Sequence, residues 1–234
     1  MIKHSKRYRE SLKVFDSTKS YTLKEAVGII KKFRSTKIDE TVNLNFQLGV
    51  RPDQPNESVR GTVPLPHGSG KKIRVLCFAK GEAQRAAEEA GADYVGAEEY
   101  VKKIEGGWLD FDAVVAHPDL MRDISKLGKV LGPRGLMPTP KTGTVTPDVK
   151  KAIKEIKAGR IEFKTDKTSG LHTICGKLSF EEKALIENAK SIIKAVVEAK
   201  PSAAKGDYLK SVTLATSHNP GVKLRATTMS VAEE

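Results

Sequence analysis

The chain has 234 residues, enough for one large domain or two small ones, and 38% of them are hydrophobic, enough for a core. No apolar run reaches the ~18–20 residues of a membrane span, and the basic start MIKHSKRYRESLK lacks the apolar stretch of a secretory signal. The net charge is +12, with 13 bases against 7 acids in residues 1–66, so a polyanion, nucleic acid first, is the favoured class of partner.

The first clear element is YTLKEAVGIIKKF, a helix that Thr22 can cap, with Glu25 three residues on and Leu23, Val27, Ile30 and Phe33 at helical spacing. TVNLNFQLGV then alternates strictly and predicts a half-buried strand with Val42, Leu44, Phe46, Leu48 and Val50 inward. RPDQPNES reads as a loop, and VPLPHGSGKK, broken by two Pro and two Gly, as a boundary.

Beyond it the style changes. IRVLCFA is a nearly continuous apolar strand, as in a sheet covered on both faces. GEAQRAAEEAG, a helix ended by Gly91, precedes the strand ADYVG, the helix EEYVKKI and the buried strand FDAVVAHP. This alternation predicts an α/β block with a mostly parallel sheet. TPDVKKAIKEIKAG predicts a helix with Thr146 as cap, Pro147 at its first position and Gly159 past its end. RIEFK, TDKTSG and LHTICGKL then read as a hairpin. SFEEKALIENAKSIIKAVVEAK reads as a long amphipathic helix capped by Ser179, and YLKSVTLAT as a last strand.

Both outer thirds hold strands suited to one-sided burial with covering helices. The expected architecture is therefore two domains of mixed class, α+β and α/β. Residues 1–66 plus 159–234 form a discontinuous α+β domain, and residues 67–158 form an inserted α/β domain.

Several chemistries fail on the residues. The dinucleotide fingerprint needs G-x-G-x-x-G between strand and helix, and AKGEAQ supplies one Gly. HGSGKK lacks the first Gly and the Ser or Thr of a phosphate-binding loop. The histidines His4, His67, His117, His172 and His218 are scattered, and His172 with Cys175 does not make a metal site, so neither metal nor cofactor is expected. Cys77 and Cys175 read as buried, reduced thiols of a cytosolic protein.

Two basic segments remain. KVLGPRGLMPTPKTGTV, residues 129–145, has three Gly and three Pro and predicts neither helix nor central strand. Its charges, Lys129, Arg134 and Lys141, are all positive, which suits a rigid contact to a phosphate backbone. The second segment carries Arg160, Lys164, Lys167 and Lys177 along the hairpin, as a shape-reading RNA surface would.

The motifs HSKRYRE, RGTVPLPHG, EEAGADYVG, DFDAVVAHPDLM, LGKVLGPRGLMPTPKTGTV, IKAGRIEFKTDKTSGLH and GDYLKSVTLAT stand in one order along nearly the whole chain. In that order they resemble the bacterial-type ribosomal protein L one family of the large subunit's mobile stalk. The resemblance implies a discontinuous RNA-binding domain, an inserted Rossmann-like domain without a nucleotide role, and no catalysis. Its implied partners are the ribosomal RNA of the stalk, exit-site tRNA and, in many members, their own messenger. It implies a cytoplasmic protein on the ribosome, monomeric when free and not membrane-bound.

The implied RNA surface begins at Lys37 and Thr41, with Glu25 on the preceding helix nearby. It continues through Lys164, Lys167, His172, Gly176 and Lys177 and ends at Thr216, Ser217, His218 and Asn219 after the last strand. The chain departs from the family where Ser217-His218-Asn219 replaces Thr-Met-Gly, where Ile38 replaces Phe, and in HTICGK. Ser keeps a hydroxyl, His offers a ring to stack, and Asn tolerates the left-handed backbone that Gly adopts. Two other classes fit the residues alone. An α/β enzyme would bind a phosphorylated ligand saturably, and a non-specific basic RNA binder would not distinguish stalk RNA from an unrelated hairpin.

Overall fold

The computed structural model describes residues 5–33, 37–51, 54, 57–202, 204 and 206–225. His4 lies outside them. Helices α1 (Lys6–Leu12) and α2 (Leu23–Lys32) precede strands β1 (Thr41–Leu48) and β2 (Arg60–Pro64). The middle runs β3 (Val75–Phe78), α3 (Glu82–Glu89), β4 (Tyr94–Gly96), α4 (Glu98–Glu105), β5 (Ala113–Ala116), α5 (Met121–Lys126), α6 (Gly128–Leu131) and α7 (Val149–Lys157). The chain closes with β6 (Arg160–Lys164), β7 (Gly170–Lys177), α8 (Glu182–Glu198), β8 (Leu209–Thr216) and β9 (Val222–Lys223). It divides into two compact units, Met1–Gly70 with Ile161–Glu234, and Lys71–Arg160.

The first unit is built on an antiparallel sheet in the order β7-β1-β8-β9. The alternation in β1 drives Val42, Leu44, Phe46 and Leu48 to one side, where all are buried. Helices α2 and α8 cover that side with Ala26, Ile30, Leu185, Ala189, Ile192 and Val196. A capping box starts α2: the Glu25 carboxylate accepts from Thr22 N at 2.9 Å, and the Thr22 hydroxyl accepts from Glu25 N at 3.4 Å. The segment expected as a boundary linker is docked. Leu65 is buried, His67 N donates to the Asn188 side chain at 3.1 Å, and Asn188 donates to Gly68 O at 3.1 Å. The first crossing between units therefore falls at Gly70 rather than residue 66, and the second falls at Arg160.

Three local expectations change. Strand β6 pairs with β2 and β7 pairs with β1, so the expected hairpin is reduced to one bridge, Thr165 to Leu171. Each strand finds its partner in the N-terminal part of the chain instead. Ser179 does not cap α8, because Asp39 takes both its N–H, at 3.1 Å, and its hydroxyl, at 2.8 Å. The cap of α7 is Asp148, whose carboxylate accepts from Lys151 N at 3.2 Å, while the Thr146 hydroxyl accepts from Asp148 N.

The second unit has a parallel three-stranded sheet in the order β4-β3-β5. Every residue of β3 is buried, as its continuous apolar sequence predicts. Val75, Cys77 and Ala79 pack against α3 and α7, and Leu76 and Phe78 pack on the other side with Ile104, Ile124, Leu127 and Leu131. Burial pushes the thiols of Cys77 and Cys175 up to about 12, which leaves them protonated and inert at neutral pH.

Asp112 ties the entry of this sheet. The Lys71 ammonium donates to it at 2.6 Å and Arg74 donates through N at 3.3 Å and Nε at 3.2 Å. The Lys71 hydrogen bond, helped by Arg74, holds the Asp112 carboxyl at about 2. Its ordinary value is near 3.8, so the stabilisation is complete above that pH and is lost as pH falls through about 2. D112N is expected to destabilise this unit by ~1–2 kcal/mol at pH 7, with the difference from wild type vanishing near pH 2. The only tryptophan, Trp108, sits in this unit, so urea unfolding followed by its fluorescence reads the effect.

Candidate nucleic-acid interface

The first unit's sheet has a second face, made by the residues that alternate with its core. Register sets them in rows. Asn45 lies between His172 and Thr213, with Lys223 beyond Thr213, and Asn43 lies between Ile174 and Ala215. These rows carry amide, hydroxyl, imidazole and ammonium groups with Ile174 and Ala215 among them, and no acid. The His172 ring Nδ1 is 2.8 Å from Asn45 Oδ1, which fixes the ring over the sheet. Side chains that donate and accept, on a flat pleated surface, suit base edges and sugar hydroxyls. Among the described residues three large apolar side chains are exposed, and two border this face: Ile174 at 42% and Ile38 at 68%.

One end of the face is a corner where three segments meet. Thr41 N donates to the Ser217 hydroxyl at 3.2 Å. The Lys177 ammonium donates to Thr41 Oγ1 at 3.0 Å and to Asp39 O at 3.3 Å. Lys37, Ser217 and His218 are exposed here, and Gly176 lies where the β1–β7 register shifts. The β7 strand spans ~24 Å at ~3.4 Å per residue, so the other end is several nucleotides away.

At that other end a tight turn presents Lys164 and Lys167, both exposed. Asp166 accepts from Thr168 N, the Thr168 hydroxyl and Gly170 N at 2.7–2.8 Å. The Thr168 hydroxyl leads in holding its carboxyl below the usual range. Ser169 takes a left-handed backbone, φ +62°, secured by its hydroxyl bond to Val50 O at 2.7 Å. The lysines thus stand on a fixed turn, beside a groove of about 520 Å³ lined by Ser58 and residues 164–167.

The structure brings together Lys37, Thr41, Gly176, Lys177, Ser217 and His218 at one end, and Lys164, Lys167 and His172 toward the other. Four expected residues are placed differently. Glu25 belongs to the capping box at the start of α2, ~12 Å of helix away from the Phe33 end that leads toward Lys37. Arg160 is turned into the second unit, donating to Glu155 at 2.7 Å and Thr142 O at 2.6 Å, with 18% of its side chain exposed. Thr216 and Asn219 are buried and bonded to each other, Asn219 Nδ2 to Thr216 Oγ1, at 3.1 Å. Asn219 also avoids the left-handed backbone, since Ser169 alone adopts it among the described residues other than glycine.

Asn43 and Asn45 are not among the residues expected from sequence, although the alternation that sets Val42, Leu44 and Phe46 inward sets these amides outward. Nor does the sequence single out Glu40 and Ser11, buried beneath the corner, or Arg7 and the exposed Asp39 at its edge. Only the fold joins α1 to the β8–β9 turn.

In the second unit Lys129, Arg134 and Lys141 are all exposed. Their segment is not wholly loop: Lys129 lies in α6 and Lys141 in a one-turn helix, Pro140–Thr142. Burial of Leu131 nucleates the first despite the neighbouring glycines. Thr139, Thr142 and Thr144 share hydroxyl bonds of 2.8–3.0 Å, and Pro138 is buried, so the segment is braced. Among the described residues no group of His, Cys, Asp and Glu could hold a metal ion.

The family described as Ribosomal protein L1p/L10e matches residues 30–220. The large ribosomal subunit protein uL1 of Protochlamydia amoebophila (strain UWE25) is 52% identical over 224 residues, which cover 96% of this chain and 95% of that protein.

Proposed function

From membership of the Ribosomal protein L1p/L10e family, to which this chain belongs, we propose that the protein is a constituent of the large ribosomal subunit that binds ribosomal RNA at the mobile stalk. The family is structural, not enzymatic. The observation that carries the RNA reading is the sheet face opposite the core, which among the described residues is mostly polar and has exposed lysines toward both ends. The discontinuous unit is the main RNA-binding body. Phosphates lie against Lys37 and Lys177 at the corner and against Lys164 and Lys167 at the turn, while His172, Asn45 and Asn43 meet bases and sugars between them. On the same reading the protein works on the ribosome in the cytoplasm, assists release of deacylated tRNA from the exit site, and represses its own messenger by binding a copy of the ribosomal site.

The test is binding to a stalk RNA fragment against a length-matched unrelated hairpin at two salt concentrations. A preference of at least about tenfold, or 1.4 kcal/mol, surviving the higher salt supports recognition by shape. Equal binding that disappears with salt would leave only a basic protein.

The braced segment of the second unit supplies a second, weaker backbone contact. R134A/K141A is expected to make the log–log salt dependence of binding shallower by about 2, roughly one unit per phosphate contact. An unchanged slope removes this contact from the account.

A further inference from the structure

The turn after β8 is held from inside by a buried carboxylate. Glu40 is 1% exposed. Its Oε2 accepts from His218 N at 3.3 Å and from Asn219 Nδ2 at 3.1 Å. Its backbone carbonyl accepts from Leu178 N at 2.8 Å, at the end of β7. One residue therefore joins the end of β7 to the turn. Helix α1 closes the far side: the Ser11 hydroxyl donates to Asn219 Oδ1 at 3.1 Å, and Arg7 Nη2 donates to His218 O at 3.3 Å. The guanidinium is held there although its Nε is buried without a partner.

The consequence is a division of labour within three residues. The Asn219 amide is consumed inside, by Glu40, Thr216 and Ser11. The backbone N–H and C=O of His218 are consumed inside, by Glu40 and Arg7. The exposed residues of the turn are Ser217, whose hydroxyl is itself set against the Thr41 backbone, and His218. A turn whose backbone polar groups are already bonded presents its outer atoms in one arrangement, and a ligand need not order it.

We propose that Glu40 is a positioning residue for RNA recognition: it touches no RNA, and it fixes the 217–219 turn so that Ser217 and His218 meet the RNA in one geometry. This rests on the RNA-binding reading above. A carboxylate buried beneath a polyanion site has little to gain from contact with phosphate, whereas its bonds to His218 N and Asn219 Nδ2 hold the turn directly. Losing it leaves His218 N and the Asn219 amide short of an acceptor, and such a loss costs about a factor of ten or more in whatever depends on the bonded geometry.

The experiment pairs E40A with E40Q, which keeps an acceptor oxygen in the same place. Amide hydrogen exchange at His218 is read without RNA, and binding to stalk RNA and to the unrelated hairpin is read beside it. E40A is expected to speed His218 exchange at least about tenfold, while the amides of Leu44 and Phe46 keep their protection. It should weaken stalk RNA binding about tenfold, leaving hairpin binding and the salt slope unchanged. E40Q should fall between wild type and E40A in both readouts, since an amide oxygen is the weaker acceptor but keeps the bonded geometry. In an S217A background E40A should cost less than it does alone, because part of the geometry it protects is gone. If E40A does not fold, E40Q carries the test: as the weaker acceptor it should speed His218 exchange and weaken stalk RNA binding in step, with hairpin binding unchanged.

Faster His218 exchange with unchanged RNA affinity would overturn the proposal, and so would strict additivity with S217A. Unchanged His218 exchange would overturn its geometric premise. A wild-type protein that binds both RNAs alike would overturn the parent reading instead, and the exchange data would separate that outcome from a failure of the Glu40 proposal.

Discussion

G176V is expected to lower the stability of the discontinuous unit by about 3 kcal/mol and to weaken stalk RNA binding more than that unit's loss of folded population explains. Gly176 sits at φ +155°, where a side chain is strained, at the register shift between Val42 and Asn43. A Cβ there would stand 3.0 Å from the Phe180 ring and 3.3 Å from Leu185 Cδ2. Leu185 is a buried residue of α8 and the Phe180 ring packs against the same core, so neither is a loose end of a flexible chain. The strained backbone alone is worth ~1–3 kcal/mol, and the extra methyls of Val add overpacking. The bulge also directs Lys177 toward Thr41 Oγ1, so relaxing the strain by moving β7 moves the corner that carries Ser217. Urea unfolding followed by far-UV circular dichroism measures the stability. Gly28 is the internal control: it lies in α2, and a methyl added there would meet nothing within 4 Å, so G28A should stabilise by ~0.5–1 kcal/mol. A G176V protein as stable as wild type would mean that the shift in register is soft.

The division between what could be read from residues and what could not follows the range of the forces involved. The helix from Leu23 to Lys32 and the strand from Thr41 to Leu48 were legible because their periodicity and capping are local. The parallel block was legible because burial on both faces writes a continuous apolar run into Val75–Phe78. Short elements were not legible. Strand β2 holds Gly61, against which the Phe163 ring packs, and β9 is two residues long. Helices α5 and α6 exist because Ile124, Leu127 and Leu131 are buried, a tertiary cause that propensity does not carry.

The candidate site divides in the same way. Cations on local motifs, such as Lys164 and Lys167 beside the Asp166 turn, could be named from their segment. The placement of Arg160 could not, because it is set by Glu155, five residues back in α7, together with the carbonyl of Thr142, eighteen residues upstream. Asn219 looked like a residue for RNA and is instead an internal tie, since its partner Glu40 lies 179 positions away in sequence.

The charge on the face has a separable role, and K37A/K164A/K167A tests it. All three lysines are exposed, Lys164 at the end of β6 and Lys167 on the turn that Asp166 braces. If each neutralises one phosphate, removing them makes the log–log salt slope shallower by ~2–3, at ~0.7–0.9 per contact. The same counterion term fixes the affinity loss. Measured against 1 M salt, where release gains nothing, three contacts contribute on the order of 10² in binding constant at 0.15 M salt. Stalk RNA binding is therefore expected to fall about 100-fold at physiological salt and very little near 1 M. Phosphates carry no sequence information, so the unrelated hairpin should lose as much and the preference for stalk RNA should survive. That pattern is the opposite of the one expected from E40A, in which affinity for stalk RNA falls while slope and hairpin binding hold. If the triple variant instead erased the preference, the lysines would be reading shape and the neutral rows of Asn43, Asn45 and His172 would be spectators. If the slope did not move, the RNA would lie elsewhere on the chain.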